Sequence, residues 1–392
     1  MKESQTLQFL NITSQFDYII IGAGAAGLML ANAMISDDFF SGKSILLLDK
    51  DSKQSNDRTW CFWEKGEGQF DSIVHKKWNH IYFGGKQFSK RFNINPYTYK
   101  MIRGVDFYTS VFQKIEASNR ITFQQAEVQT VEDNGQNVVV STSDGTYHAK
   151  QAFNSIFDYK MVTHQKEYPV LQQHFVGWVV KTKKPVFDVD QATYMDFSIE
   201  QKGNTRFMYV LPSLENEALI EYTLFSKDLL SKDEYENAIK DYLKYDLDCF
   251  DYEILETEMG SIPMTCYDFQ EHHSKNIRYI GTAGGWAKPS TGYTFASTAR
   301  KIPMLLDYIK TEKSLKKLSF KNRFWFYDLL LIDVLYKDNA NGYHIFEALF
   351  KNRSPQLIFK FLDEQTTLWE DLKYISGSPK KPFTKALFKR LF

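Results

Sequence analysis

Cysteine is scarce in this chain: Cys61, Cys249 and Cys266 are the only three in 392 residues, and no two form a CxxC pair. That excludes a disulfide framework and makes a reducing cytoplasm the expected compartment. A charge excess is missing as well. Lys and Arg number 48 and so do Asp and Glu, so the basic surplus of a nucleic-acid binder is absent. Met1 to Phe16 has neither an apolar stretch nor a small-residue cleavage site, and no signal peptide is expected there. One uncharged run, Tyr18 to Met34, is slightly short for a membrane span and carries Gly22, Gly24 and Gly27, which have another explanation. There is no internal repeat, and the GxSxG, HExxH and P-loop patterns are all missing, which leaves hydrolase and kinase chemistry without support. The single paired histidine, His272-His273, lacks any metal-ligand spacing around it and reads as a solvated loop. No metal site is expected.

What the chain has in plenty is rings: 32 Phe, 23 Tyr and 7 Trp make up 16% of it. Composition alone does not choose between a ring-rich core and a ring-rich site.

The N-terminal end is the most regular part. Phe16 to Ile21 reads as a strand buried on both faces, as central parallel strands are. It runs into Gly22-Ala23-Gly24-Ala25-Ala26-Gly27 and a helix from Leu28 to Ile35, and Ser44 to Asp49 forms a second apolar strand ending in an acid. Each part has a task in binding a dinucleotide. Gly22 makes the tight turn, Gly24 lets the backbone approach a pyrophosphate, and Gly27 lets helix and strand pack closely. The helix N-terminus receives the phosphate charge and Asp49 takes the ribose hydroxyls. Far along the chain a second glycine-rich junction follows the short strand Ile277 to Ile280. It comprises Gly281-Thr282-Ala283-Gly284-Gly285 and Pro289-Ser290-Thr291-Gly292-Tyr293, ahead of a helix from Ser297 to about Ile309. A second junction of this kind favours FAD over NAD, although a capped Gly-rich turn would look similar.

Between the two junctions the chain alternates. A helix is expected over Val105 to Ala117 and a β-meander over Ile121 to Lys150. Four further strands are expected at His174–Lys181, Ala192–Ile199, Arg206–Leu211 and Glu217–Phe225. The fold class is therefore α/β: an FAD-binding doubly wound, Rossmann-like domain with an inserted antiparallel β-sheet substrate domain and a helical C-terminal region. The expected boundaries are 1–75, 97–160 and 270–312 for the FAD domain, 76–96 and 161–269 for the substrate domain, and 313–392 for the helical region.

Glu221 is the residue that draws chemistry. In Glu217 to Phe225 one strand face carries Ala218, Ile220, Tyr222 and Leu224, and the other Leu219, Glu221, Thr223 and Phe225. Neither face is clearly polar. A carboxyl group among apolar neighbours has its pKa raised and suits acid–base work near neutrality. An edge-strand Glu reaching water, or one paired with a lysine, is the alternative. The C-terminal region interleaves Lys313, Lys316, Lys317, Lys321 and Arg323 with rings. It ends in a basic amphipathic tail, Pro382 to Phe392, with Phe383, Leu387 and Leu391 on one helical stripe. Such a pattern suits an anionic membrane surface and equally suits helices docked on the flavin domain.

In these motifs the chain resembles the bacterial-type lycopene β-cyclases nearly end to end. The residues that carry the resemblance are Gly22 to Gly27, Arg58-Thr59-Trp60, Tyr194-Met195-Asp196-Phe197, Ile220-Glu221-Tyr222-Thr223, and Ala283-Gly284-Gly285 with Pro289 to Tyr293. The resemblance implies a redox-neutral cyclisation of lycopene and other apolar carotenoids. It implies FAD acting in reduced form, NAD(P)H as the reductant, Glu221 as the acid–base group, and a peripheral position on the inner face of the membrane. The implied cofactor contacts are Gly22, Ala23, Gly24, Ala25, Ala26, Gly27, Asp49, Arg58, Arg103, Gly281, Gly284, Gly285, Thr291 and Gly292. Two departures stand out. Thr282 occupies a place that holds Asp in many FAD hydroxylases, which weakens a hydroxylase reading. Arg58 stands where some cyclases have His, and an always-charged guanidinium is better suited to binding phosphate or orienting a partner than to moving a proton. An FAD oxidoreductase for an apolar substrate, such as an isoprenoid reductase or aromatic hydroxylase, and a non-catalytic isoprenoid carrier remain as competing readings.

Overall fold

The computed structural model describes residues 13–391. β1 (Thr13–Ile21) enters the glycine turn, α1 (Ala25–Ser36) leaves it, and β2 (Ile45–Asp49) returns parallel to β1. Next come β3 (Thr59–Lys65), β4 (Lys76–Trp78), β5 (His80–Gly84), β6 (Lys90–Asn93), β7 (Tyr97–Arg103), α2 (Gly104–Ser118) and β8 (Ile121–Gln125). Then follow β9 (Val128–Asp133), β10 (Val138–Thr142), β11 (Thr146–Asn154) and a single turn of helix, α3 (Lys160–Thr163). The long strands β12 (Leu171–Thr182), β13 (Gln191–Asp196), β14 (Thr205–Leu214) and β15 (Glu217–Ser226) lead through α4 (Lys232–Asp241) to β16 (Tyr252–Met264). β17 (Ile277–Tyr279) and α5 (Phe295–Ile309) precede five further helices: α6 (Arg323–Lys337), α7 (Tyr343–Asn352), α8 (Pro355–Leu362), α9 (Leu368–Ile375) and α10 (Lys380–Leu391).

These strands build three sheets. The first runs β8-β2-β1-β11-β10-β9, with β17 also beside β11. Its strands β8, β2, β1, β11 and β17 are parallel, while β9, β10 and β11 are antiparallel. The expected meander therefore begins at Val128, not Ile121: β8 is the far end of a crossover through α2 and pairs in parallel with β2. Ile19 to Ile21 and Leu46 to Leu48 are almost fully enclosed, because α1, α2 and α5 cover one face and the antiparallel extension packs on the other.

The second sheet runs β16-β12-β15-β14-β13-β5-β6. Ala218, Ile220, Tyr222 and Leu224 lie under α4. The opposite face, with Phe207, Tyr209, Leu219 and Phe225, shares a core with α6, α7, α8 and α10. Both faces are buried, which is why β15 has no polar row. The small third sheet, β3-β7-β4, adjusts the expected domain boundaries. It joins Thr59–Lys65 and Tyr97–Arg103, placed by sequence in the nucleotide domain, to Lys76–Trp78, placed in the substrate domain. It forms a wall between the two cores, with Phe62 and Ile102 in one and Trp78, Tyr99 and Met101 in the other.

Candidate active site

At the nucleotide end, Gly22 sits at φ +93°, in the left-handed region, where a side chain would be strained. A Cβ on Gly27 would come within 1.9 Å of the Gly22 carbonyl oxygen, so only glycine lets α1 pack this close to β1. A Cβ on Gly24 would meet nothing within 4 Å. α1 has no capping side chain at Gly24 and no acid in its first turn, so its positive end is free for an anion. The carboxylate of Asp49, at the end of β2, accepts a hydrogen bond from the Ala23 N–H at 2.5 Å.

Gly24, Ala25 and Ala26 line a cavity of about 410 Å³ that reaches across to the second sheet. From the second glycine junction it is lined by Gly281, Thr282, Gly292, Tyr293 and Thr294. Gln173 Oε1 and Thr294 Oγ1 are buried with no hydrogen-bond partner among the described residues, and both residues line this cavity. A turn with room for a pyrophosphate, an uncapped helix end and orphaned polar atoms in one cavity fit a dinucleotide cofactor such as FAD.

The far wall carries two carboxyl groups. Glu221 on β15 and Glu258 on β16 are both register partners of Gly177 on β12, the strand between them. Side chains at one register position on neighbouring strands share a sheet face. A Cβ on Gly177 would lie 3.2 Å from Glu258 Cγ and 3.5 Å from Glu221 Cβ, so the glycine leaves the lane between the two acids open. Burial pushes the Glu221 carboxyl well above the usual carboxylate range, and the negative charge of Glu258 raises it further; the hydrogen bond from Thr223 Oγ1 opposes both. Burial also raises Glu258, to about 7: the hydrogen bond that Thr59 Oγ1 donates to Oε2 at 2.8 Å and the Arg58 guanidinium oppose the rise, while the charges of Glu256 and Asp57 add to it. Two like charges this close resist ionising together. Both carboxyl groups are therefore raised, and Glu221 is pushed the higher of the two.

β16, the strand bearing Glu258, is tied to the nucleotide side by one short segment. Arg58 Nη1 donates to the Met259 carbonyl at 3.0 Å, and Asn56 Nδ2 donates to Glu256 Oε2 at 2.8 Å. Trp60 stacks on Phe295, ring centroids 5.1 Å apart, and both line the cavity. Cys61 lines it too, but burial and the two acids push its thiol far up, which removes it as a nucleophile.

Beyond the acids lies a second cavity of about 510 Å³, enclosed by α6 to α10 and the second sheet. Its lining is overwhelmingly apolar, including Phe225, Leu331, Phe346 and Leu349. Tyr209 and Tyr293 line both cavities, and their hydroxyls are 3.3 Å apart. Tyr209 is also the register partner of Glu221 on the other side from Gly177. A pair of tyrosines thus separates the carboxyl pair from an apolar channel.

Of the sequence-predicted residues, Glu221, Gly24, Ala25, Ala26, Arg58, Gly281 and Gly292 meet in one cavity, while Gly22, Ala23, Gly27 and Asp49 shape the turn beside it. The others lie elsewhere. Thr291 faces the apolar cavity, and Gly284 and Gly285 line a third, of about 180 Å³, with Lys288 and Arg300. Arg103 is away from all three because its guanidinium is ion-paired with Glu256. His273, read as part of a solvated loop, is only 3% exposed, and its Nδ1 accepts from the Tyr279 N–H. Sequence reasoning missed Glu258, Gly177, Tyr209 and the whole of β16. The available signal was Glu258 two residues before Gly260, in an alternating run that ends in Ile262-Pro263-Met264.

The same architecture occurs in known flavoproteins. The chain superposes on a geranylgeranyl bacteriochlorophyll reductase-like protein from Thermoplasma acidophilum with a TM-score of 0.63 at 10% identity, covering 95% of this chain and 98% of the other. It matches a flavoprotein/dehydrogenase from Cytophaga hutchinsonii at 0.62 and 14% identity, covering 96% and 100%. A flavin-dependent brominase follows at 0.57 and 14%, covering 96% and 99%. These likenesses establish the class, an α/β flavoprotein fold with an inserted sheet. Within that class the chain belongs to the lycopene cyclase family, whose model, described as Lycopene cyclase protein, matches residues 17–388. A chloroplastic neoxanthin synthase of Solanum tuberosum is 26% identical over 328 residues, 76% of this chain; the chain spans 61% of that relative's length.

Proposed function

We propose that this protein is a lycopene β-cyclase that converts the linear end groups of lycopene to β-rings, giving γ-carotene and β-carotene without net redox change. The observation that carries the reading is the Glu221–Glu258 pair, held in a cavity shared with the dinucleotide turn and separated from an apolar channel by two tyrosines. The reaction adds one proton to a terminal isoprene double bond and removes one after ring closure. Glu221 suits the first step, because burial and its neighbour keep it protonated at neutral pH. Glu258, pushed up less far and opposed by Thr59 and Arg58, is the member of the pair that gives up its proton first; its carboxylate stabilises the resulting tertiary carbocation and accepts the proton released when the ring forms. The faces of Tyr209 and Tyr293 add cation–π attraction, and the apolar channel holds the polyene and excludes water. FAD would be held by Gly24, Ala25, Ala26, Gly281 and Gly292; bound in its reduced, anionic form, with NAD(P)H as reductant, it supplies further negative charge at the cavity.

The test is anaerobic incubation of the holoenzyme with lycopene and photoreduced FAD, with no nicotinamide present. Ring formation is the expected result. Oxidation of the photoreduced flavin with a hydrogenated acyclic product in place of rings would favour an isoprenoid reductase or another net-redox enzyme.

The carboxyl pair also makes a pH prediction. Glu258→Gln removes the neighbouring charge that helps raise Glu221, leaving only burial to do so. The Glu221 pKa then falls, so its active, protonated form is lost at lower pH. The alkaline limb of the rate profile is expected to move to lower pH. Activity at pH 8 should fall by roughly tenfold more than at pH 6. An alkaline limb that stays in place would separate Glu258 from Glu221.

A further inference from the structure

The mouth of the apolar cavity opens between α9 and α10, where Leu372, Ile375, Lys380, Phe383, Thr384 and Leu387 line it. Phe383 and Leu387, two residues of the stripe expected to meet a membrane, are therefore turned toward this cavity, and only Leu391 of that stripe is largely exposed, at 60%. Phe392 lies outside the described residues. The apolar surface that does face outward belongs mainly to α9. Leu368 is 65% exposed, Trp369 80%, Leu372 59% and Ile375 36%. Their spacing puts them on one helical face. A tryptophan this exposed at the centre of an apolar stripe is unusual on a surface that meets only water. α9 is firmly built: a capping box between Thr367 and Glu370 closes its N-terminus. Its own acids are engaged elsewhere, Glu370 with Lys360 and Asp371 with Arg323.

Charge around the mouth is one-sided. From Leu372 to the end of the chain there is no Asp or Glu, while Lys373, Lys380, Lys381, Lys385 and Lys389 are all exposed. Arg390 is the exception, tied to Asp333. An apolar face with an exposed indole, ringed by five lysines, complements an anionic lipid leaflet: indole and leucine enter the headgroup zone while lysines meet phosphate. No helix among the described residues is long and apolar enough to cross a membrane.

We propose that α9 and the outer face of α10 dock this protein on an anionic bilayer surface, with the cavity mouth between them pressed to the lipid as the entry for a long apolar substrate. The entry role rests on the carotenoid reading above; the docking itself does not.

The experiment has two arms. Sedimentation of the FAD-bound protein with phosphatidylcholine vesicles, with and without phosphatidylglycerol and with no carotenoid present, measures docking alone. Wild type is expected to bind the anionic vesicles at least about tenfold more tightly than the neutral ones. Leu368→Glu/Trp369→Glu, two residues that do not line the cavity, should lose binding by about tenfold or more. Lys381→Glu/Lys385→Glu/Lys389→Glu should lose it on anionic vesicles only. In the second arm, both variants should convert carotenoid supplied in detergent micelles at the wild-type rate and fail with carotenoid embedded in vesicles. Unchanged vesicle binding by both variants would overturn the proposal. So would a wild-type dimer in sedimentation velocity that Leu368→Glu/Trp369→Glu dissolves, since the surface would then cover a second copy. If wild type docks but converts no carotenoid, the cyclase reading fails and the docking stands.

Discussion

Glu221→Gln is expected to slow ring formation by about three orders of magnitude while changing flavin affinity by no more than about twofold. Glutamine keeps the size of the side chain, and its amide oxygen still accepts from Thr223 Oγ1, so the wall of the cavity is preserved. What it loses is the proton. The protonated carboxyl that burial and Glu258 maintain at neutral pH is replaced by an amide that cannot supply one. Stability should not fall. With its folded-state pKa above that of the unfolded chain, ionisable Glu221 costs stability as pH rises past the unfolded carboxylate pKa, and the neutral amide carries no such cost. Single-turnover ring formation with pre-reduced flavin, read by chromatography of the pigment, checks the rate; a flavin fluorescence titration checks binding. A rate within about tenfold of wild type would remove Glu221 from proton transfer.

The sequence pointed to Glu221 and missed Glu258 for related physical reasons. β15 is buried on both faces, so an acid within it interrupts a uniformly apolar run and stands out. β16 is an edge strand whose residues Glu253, Ile254, Leu255 and Thr257 are exposed, so Glu258 lies among residues that read as solvated. Nothing local marks it. Its meaning comes from the register of β12 with two other strands, which sets Glu221 and Glu258 on either side of Gly177 across chain separations that no periodicity encodes. The glycine turn, by contrast, is local: strand, turn, helix and acid fall within Thr13 to Asp49, and the structure places them as the spacing implies. Arg58, suited by its charge to binding phosphate or orienting a partner, lines the cavity and also donates to the Met259 carbonyl beside Glu258.

The rings divide in a way composition was unable to indicate. Many are core: Phe83 stacks on Phe350 at 4.4 Å, Trp63 on Phe359 at 4.6 Å and Phe197 on Phe346 at 5.3 Å, locking the second and third sheets to the C-terminal helices. A smaller set, with Tyr209, Tyr293 and Trp60, faces the two large cavities. The same helices therefore serve as packing for the sheet and as walls of the channel, and a change in one channel wall need not disturb the acids behind the tyrosines.

That separation leads to the second large effect. Leu349→Trp, on α7, is expected to lower conversion of lycopene by about 100-fold. Leu349 is 5% exposed and lines the apolar cavity, so the indole has open volume to enter. Overfilling a packed core costs about 1–3 kcal/mol, but here the new ring displaces space the polyene needs. Flavin binding and the alkaline limb of the rate profile should be unchanged, because Tyr209 and Tyr293 stand between the substitution and the Glu221–Glu258 pair. A short acyclic isoprenoid that carries the same end group but needs little of the channel should lose far less activity than lycopene. Equal losses for the long and short substrates would mean that the cavity does not hold the chain. A selective loss for the long one would assign the channel to the polyene and the chemistry to the acids beyond the tyrosines, because a plug that blocks entry leaves proton transfer intact for any substrate able to bypass it.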